Sequence, residues 1–201
     1  MSAPNVPIID LQTASGDSEQ LKLIDSACRD HGFFLLKNHG IQDEINNMWS
    51  MSEWFFSQNR VDKLKLLRSE EIPLGFYDRE LTKQRRDLKE VFDFMETRLD
   101  KDINQWPDEV DFKIIMESFF MKSSNVAEKT LNLILHALGI ENNDRIFGDS
   151  KTSNARLNFY PTNDPLSINE RAQVNKLGDM ALHHHTDPGI LTLLLQDMTG
   201  G

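Results

Sequence analysis

His185-Thr186-Asp187 sets an imidazole and a carboxylate two residues apart, a spacing that can turn both toward one metal ion. In an extended strand alternate side chains share a face, so His183, His185 and Asp187 point one way while His184 and Thr186 point the other. A neutral imidazole with a carboxylate suits Fe(II), Mn(II) or Zn(II), and spacing alone does not choose between them. A centre of two His and one carboxylate leaves its remaining positions open, and only two of those three donors are assigned here, His185 and Asp187. His183 shares their face, but two His and an Asp from one short strand close poorly around a single ion. It reads as a pocket-lining residue, with His184 packed outward. Alone, an H-x-D pattern recurs by chance in many proteins.

Upstream, Arg156-Leu157-Asn158-Phe159-Tyr160-Pro161 alternates so that Asn158 and Tyr160 share a face. A phenol and an amide on a strand beside a metal could bind a carboxylate-bearing co-substrate.

The elements that must hold these residues begin with a short strand at Val6 to Asp10, followed by a helix over Ser18 to Asp30 that starts at Asp17 and stops at His31-Gly32. Phe33-Phe34-Leu35-Leu36 reads as a buried strand closed by the turn Asn38-His39-Gly40, with His39 a turn residue and not a ligand. Ile41, Ile45, Met48, Trp49, Ser52 and Phe56 give a helical stripe, and Val61 to Leu67 adds another turn or two. Ser69 to Asp87 mixes charge with Pro73 and Gly75 and reads as loop, whereas Glu90 to Phe94 alternates as a half-buried strand. A long helix from Asp111 to Leu138 follows, with Gly139 as its stop and His136 a packed or partly exposed helix residue. Asn154 to Tyr160, Lys176 to His185 and Gly189 to Gln196 then suit strands, separated by the loop Pro161 to Asn169. These elements make an α+β chain, helical first and sheet-forming last.

Composition narrows the functions. At 201 residues, 39% hydrophobic and 27% charged, the chain can bury a sizeable core. A formal net charge of -10 argues against binding nucleic acid through its phosphates. The basic cluster Lys83, Arg85 and Arg86, flanked by Glu80, Asp87 and Glu90, reads as a solvated surface turn. Cys28 is the single cysteine, so no intrachain disulfide exists, and it reads as a small buried residue. No stretch approaches the roughly 20 apolar residues of a membrane span. The expected setting is cytoplasmic, with neither membrane nor nucleic acid as partner.

Gly32-Phe33-Phe34 with Asn38-His39-Gly40, then Asn158-Phe159-Tyr160-Pro161, then His185-Thr186-Asp187-Pro188-Gly189 with Leu191-Thr192-Leu193-Leu194 and Gln196-Asp197, occur in one order along the chain. Together they resemble the Fe(II)- and 2-oxoglutarate-dependent dioxygenase superfamily, within it the group of isopenicillin N synthase and the plant flavonoid and gibberellin oxygenases. The resemblance implies a double-stranded β-helix, a jelly-roll relative, with helices outside. It implies His185 and Asp187 as iron ligands, and Tyr160 with Asn158 nearby as residues that hold 2-oxoglutarate. The cofactors implied are Fe(II) and 2-oxoglutarate as co-substrate, with ascorbate a further candidate. The partners implied are O2 and a small organic substrate, which is hydroxylated or otherwise oxidised while 2-oxoglutarate becomes succinate and CO2.

In that family a distal His ligand and an Arg-x-Ser that anchors 2-oxoglutarate lie beyond the H-x-D, and this sequence ends at Gly201 without them. Residues 1–140 are therefore expected to be the helical N-terminal region and 141–201 the opening of a β-helix domain, incomplete at its C-terminus. The expectation is a fragment or shortened form, inactive alone. Two alternatives stand beside it: a non-catalytic interaction or regulatory protein, and an oxidase of the same family that does not use 2-oxoglutarate.

Overall fold

The computed structural model describes residues 6–97, 102–140, 152–182 and 184–199. Helices and strands are mixed as expected, and the chain divides into two compact units, one of residues 1–42, 122–151 and 189–201, the other of 43–121 and 152–188. Among the described residues no helix is long and apolar enough to cross a membrane.

In the first unit β1 (Ile8–Asp10) pairs in parallel with β2 (Leu35–Lys37). Between them α1 (Ser18–Asp30) begins where Asp17 caps it, its side chain accepting the Glu19 and Gln20 N–H groups. Ile9, Ala14, Ile24 and Leu133 form the buried centre, with Cys28 partly buried against it. Burial, reinforced by Asp25, pushes the Cys28 thiol up, away from reactivity. The strand expected at Phe33 is shifted and only half buried. Phe33 precedes β2 and is 57% exposed, and Leu35 within β2 is 52% exposed, since the two-stranded sheet has one covered face. His39 is a turn residue, its Nδ1 accepting the Ile41 N–H at 3.2 Å between the positive-φ residues Asn38 and Gly40.

In the second unit α2 (Gln42–Ser57), less its first residue, and the short α3 (Arg60–Lys63) precede a three-stranded antiparallel sheet in the order β3 (Gly75–Tyr77), β6 (Glu90–Met95), β7 (Asn154–Phe159). One face of this sheet is aromatic. Phe92 lies 4.7 Å from Phe55 and 5.4 Å from Phe112 between ring centroids, Phe94 lies 5.6 Å from Trp106, and Phe56 stacks on Phe159 at 5.3 Å. Each fully buried ring contributes about 1.5–3 kcal/mol. Gly75 admits no side chain: its φ is +109° and a Cβ would stand 2.4 Å from the Leu66 carbonyl oxygen.

The helix α4 (Val110–Ala137) has 28 residues, of which 110–121 belong to the second unit and 122–137 to the first. It ends in a Schellman turn: Ile140 N–H donates to Leu135 O at 2.9 Å, Gly139 N–H to His136 O at 3.0 Å, and Gly139 takes φ +68°. His136 is exposed there.

Four expectations need correction. The segment expected as loop, 69–87, contains β3 and a hairpin of β4 (Leu81–Thr82) and β5 (Arg85–Arg86), whose tip residues Lys83 and Gln84 take φ +53° and +67° as a type I′ turn requires. The basic cluster at that hairpin is not uniformly solvated, since Arg86 is 2% exposed and paired with Asp164. β6 is buried on both faces, because its polar residues meet ion-pair partners instead of water. Finally, the expected strands Lys176 to His185 and Gly189 to Gln196 are not formed among their described residues: only Leu177 makes a bridge, to Arg86, and Leu194 is 84% exposed. Apolar alternation is present there, but among the described residues the only strand contact is the bridge at Leu177, where Arg86 of β5 bonds to the Lys176 carbonyl and the Gly178 N–H, and no ladder continues from it. His183 lies outside the described residues.

Candidate functional site

The second face of the sheet is polar, and its charges are tied together. Across the β6–β7 register Arg156 stands opposite Asp93, donating from Nε to Oδ1 at 2.6 Å and from Nη2 to Oδ2 at 2.8 Å. Arg68 reaches the same Asp93 at 3.1 Å and Glu80 at 2.5 Å, and its guanidinium lies 4.0 Å over the Tyr77 ring. Arg156 also donates to Glu80 at 3.2 Å, and Lys89 stands 3.8 Å from Glu80 and 3.7 Å from Asp87. Bidentate guanidinium–carboxylate pairs fix side-chain planes as well as distances, so this face is rigid.

Asn158 lies on β7 opposite Val91, two residues from Arg156 and exposed. Tyr160 follows the end of β7 and is half-exposed. Burial and the charge of Asp87 push its phenol up, with Arg156 opposing. It therefore stays protonated at neutral pH and can donate a hydrogen bond.

From Tyr160 the chain runs through the short helix α5 (Ile168–Arg171). Ser167 caps it in a reciprocal capping box: Glu170 N–H donates to Ser167 Oγ at 3.4 Å and Ser167 N–H to Glu170 Oε2 at 2.9 Å. Glu170 also receives Arg60 Nη2 at 2.9 Å and Arg79 Nη2 at 3.0 Å, and Arg60 Nε reaches the buried Asp78 at 2.8 Å. Asp164 is held below its ordinary range: burial pushes it up, and hydrogen bonds from Arg86 and the Leu166 N–H more than offset that.

His185 and Asp187 are brought together. Nε2 of His185 is 3.1 Å from Oδ1 of Asp187, and the side chains are 43% and 51% exposed, so the pair is open to solvent. Gly189, with φ +95°, turns the chain directly afterward. Lys83, at the hairpin tip, places its Nζ 3.1 Å from Nδ1 of His184. Among the described residues no cluster of three or more His, Cys, Asp or Glu side chains is placed to hold a metal ion. A metal at His185 and Asp187 would need a further donor from elsewhere.

The residues that sequence reasoning missed are the ones that fix the frame, Arg156 with Asp93 and Arg86 with Asp164. They are separated by 63 and 78 positions, and no local pattern links them.

Comparison with known proteins gives the frame an identity. Residues 6–109 match the family described as non-haem dioxygenase in morphine synthesis, N-terminal. A 2-oxoglutarate-Fe(II) type oxidoreductase of Metarhizium majus is 30% identical over 85% of this chain and 56% of its own length. Naringenin,2-oxoglutarate 3-dioxygenase of Petunia hybrida is 28% identical over 98% of this chain and 53% of its own. Among solved structures, a full-length Neurospora crassa protein in complex with alpha-KG superposes with a TM-score of 0.67 at 27% identity, covering 78% of this chain and 54% of that one. JOX2 in complex with 2OG, Fe and JA gives 0.73 at 21% identity, over 92% and 53%, a likeness of fold. The chain spans about half the length of the curated relatives it matches. By its matched N-terminal region and these relatives, the chain belongs to the Fe(II)- and 2-oxoglutarate-dependent dioxygenase superfamily.

Proposed function

We propose that this chain carries part of the iron and co-substrate site of an oxidoreductase that hydroxylates or otherwise oxidises a small organic molecule. His185 and Asp187 are the metal-binding pair, and Asn158 and Tyr160 hold 2-oxoglutarate. Residues 1–140 form the helical N-terminal region and 141–201 open the β-helix domain. A third metal donor comes from outside the described residues.

The observation that carries this reading is the convergence of His185 Nε2 and Asp187 Oδ1 to 3.1 Å at an exposed position. Two donors each about 2.1 Å from one ion and at right angles are separated by about 3.0 Å, so the pair suits adjacent positions on an octahedral metal. Both donor types match Fe(II). The protonated Tyr160 phenol and the Asn158 amide supply neutral hydrogen-bond donors for a carboxylate without adding charge. When bound, iron and 2-oxoglutarate would supply the activation of O2, with two of the four electrons that O2 takes up coming from the keto acid as it decarboxylates to succinate and the other two from the organic substrate. The residues of the polar sheet face do the rest by holding β7, and with it Asn158 and Tyr160, in one place.

Metal titration of the full chain tests this, with Co(II) standing in for air-sensitive Fe(II). His185→Ala and Asp187→Ala should each weaken metal binding at least tenfold, as loss of a coordinating side chain does. Tyr160→Phe should weaken 2-oxoglutarate binding to the metal-loaded protein and leave metal affinity unchanged. Wild-type metal affinity in both ligand variants would remove the assignment.

A further inference from the structure

Residues 161–182 lie between β7 and the pair His185 and Asp187, and they meet one residue, Arg86, at both its backbone and its side chain. Its backbone N–H donates to Lys176 O at 3.0 Å, and its carbonyl accepts the Gly178 N–H at 2.8 Å. Its guanidinium Nη2 donates to Asp164, which also accepts the Leu166 N–H at 3.0 Å and stands 3.2 Å from Arg171 Nε. The start and the end of the connecting segment therefore converge on a single residue of β5. The rest of the hairpin makes the same connection from its tip: Asn175 Nδ2 donates to Gln84 O at 2.9 Å, and Lys83 meets the His184 ring immediately before His185.

Stability does not explain this arrangement. Arg86 is among the most deeply buried side chains, yet its Nε and Nη1 have no hydrogen-bond partner among the described residues. A buried N–H left unmet costs free energy, and a buried ion pair can often be exchanged for apolar side chains without loss. An ion pair in such a place supplies one fixed geometry in preference to a deeper energy well.

We propose that Arg86 is a positioning residue. Through Asp164 and its backbone bonds to Lys176 and Gly178, it sets where the metal pair His185 and Asp187 stands relative to Asn158 and Tyr160. This rests on the reading of those four residues given above. Arg86 touches neither metal nor co-substrate itself, and it acts by holding the segment between them to one path.

The test is Arg86→Met in the full chain, which keeps the bulk and removes the ion pair. Two quantities are read from each variant, the thermal midpoint of the metal-free protein and the affinity and visible absorption of bound Co(II). Because Arg171 still stands 3.2 Å from Asp164 and keeps that carboxylate paired, Arg86→Met should keep its thermal midpoint within a few degrees, bind Co(II) about tenfold more weakly, and show an altered absorption band. Arg86→Lys, which can still reach Asp164, should recover part of the affinity. Asp164→Asn attacks the same contact from its other end and should reproduce the loss, and the Arg86→Met/Asp164→Asn double variant should be no worse than either single one. Wild-type affinity and spectrum in both Arg86→Met and Asp164→Asn overturn the proposal, as does a loss of affinity that only follows a fall in thermal midpoint. His185→Ala separates the two levels. If it abolishes Co(II) binding while Arg86→Met does not weaken it, the positioning role alone falls; if it leaves binding intact, the metal reading falls and takes the positioning role with it.

Discussion

Lys63 with Glu90 and His185 with Asp187 are both pairs of a nitrogen and a carboxylate at close range, 2.5 Å and 3.1 Å, and their surroundings differ completely. Lys63 is buried at the end of α3. Its Nζ also donates to Phe56 O at 3.0 Å and lies 5.9 and 5.6 Å from the ring centroids of Phe56 and Phe76. Only 5% of each side chain in this pair is exposed, and the ammonium is met by a carboxylate, a carbonyl and two rings, which keeps a solvent ion away from it. His185 and Asp187 stand half in solvent on an irregular segment, where an additional ion can approach both atoms. A buried pair is committed to the fold, whereas an exposed pair contributes little to it, typically about 0–1 kcal/mol, so its alteration costs the fold little.

The largest effect should come from breaking the buried pair on one side only. Glu90→Ala leaves the Lys63 ammonium enclosed without its carboxylate and should cost about 3–5 kcal/mol in urea unfolding. The matched apolar replacement Lys63→Met/Glu90→Leu removes both charges and should recover most of that. A loss under about 1 kcal/mol in Glu90→Ala would mean that Lys63 finds water, and the contrast with the exposed pair would then vanish. His185→Ala and Asp187→Ala belong at the other end of the scale. Each should change unfolding free energy by about 0.5 kcal/mol or less, even as metal binding falls. A destabilisation as large as that of Glu90→Ala in either would make the pair structural.

The same division separates what the sequence made legible from what it hid. Local signals were accurate: Asp17 and the apolar spacing that followed marked α1 at Ser18–Asp30, and Gly139 marked the end of α4. The alternation in Arg156 to Tyr160 marked β7, whereas His185 and Asp187 approach to 3.1 Å on a segment that is not the strand expected there. Long-range pairing was not legible. Glu90 and Asp93, on opposite faces of β6, look like solvent-facing charges until Lys63 reaches the first and Arg68 and Arg156 the second from distant positions and bury them. Arg86 looks like one more surface charge for the same reason. Leu191 to Gln196 shows the opposite failure, because it has the apolar content of a strand and no described neighbour to pair with, and strand formation depends on that neighbour. The Ser167-Ile168-Asn169-Glu170 capping box is a readable signal for α5 at the end of a stretch expected as loop.

Glu170 lies between the two extremes, partly exposed yet heavily bonded, and it gives the smallest and most selective test. Hydrogen bonds from the Ser167 hydroxyl and N–H, then from Arg60, hold its carboxyl at about 2, against an ordinary value of 4.5. A carboxyl depressed in the folded state contributes stability that is fully present above its unfolded value and is lost as pH falls through the folded one. The window is therefore from about 4.5 down to about 2. Glu170→Gln has no such titration, so wild type should exceed it in thermal midpoint at pH 6, and the difference should shrink steadily across that window. Solvent screens these contacts, which keeps the effect well below that of the buried Glu90. A difference between wild type and Glu170→Gln that stays constant from pH 6 to pH 2.5 would show that the charge of Glu170 contributes nothing to holding α5, because its bonds to Ser167, Arg60 and Arg79 would then persist in the neutral form.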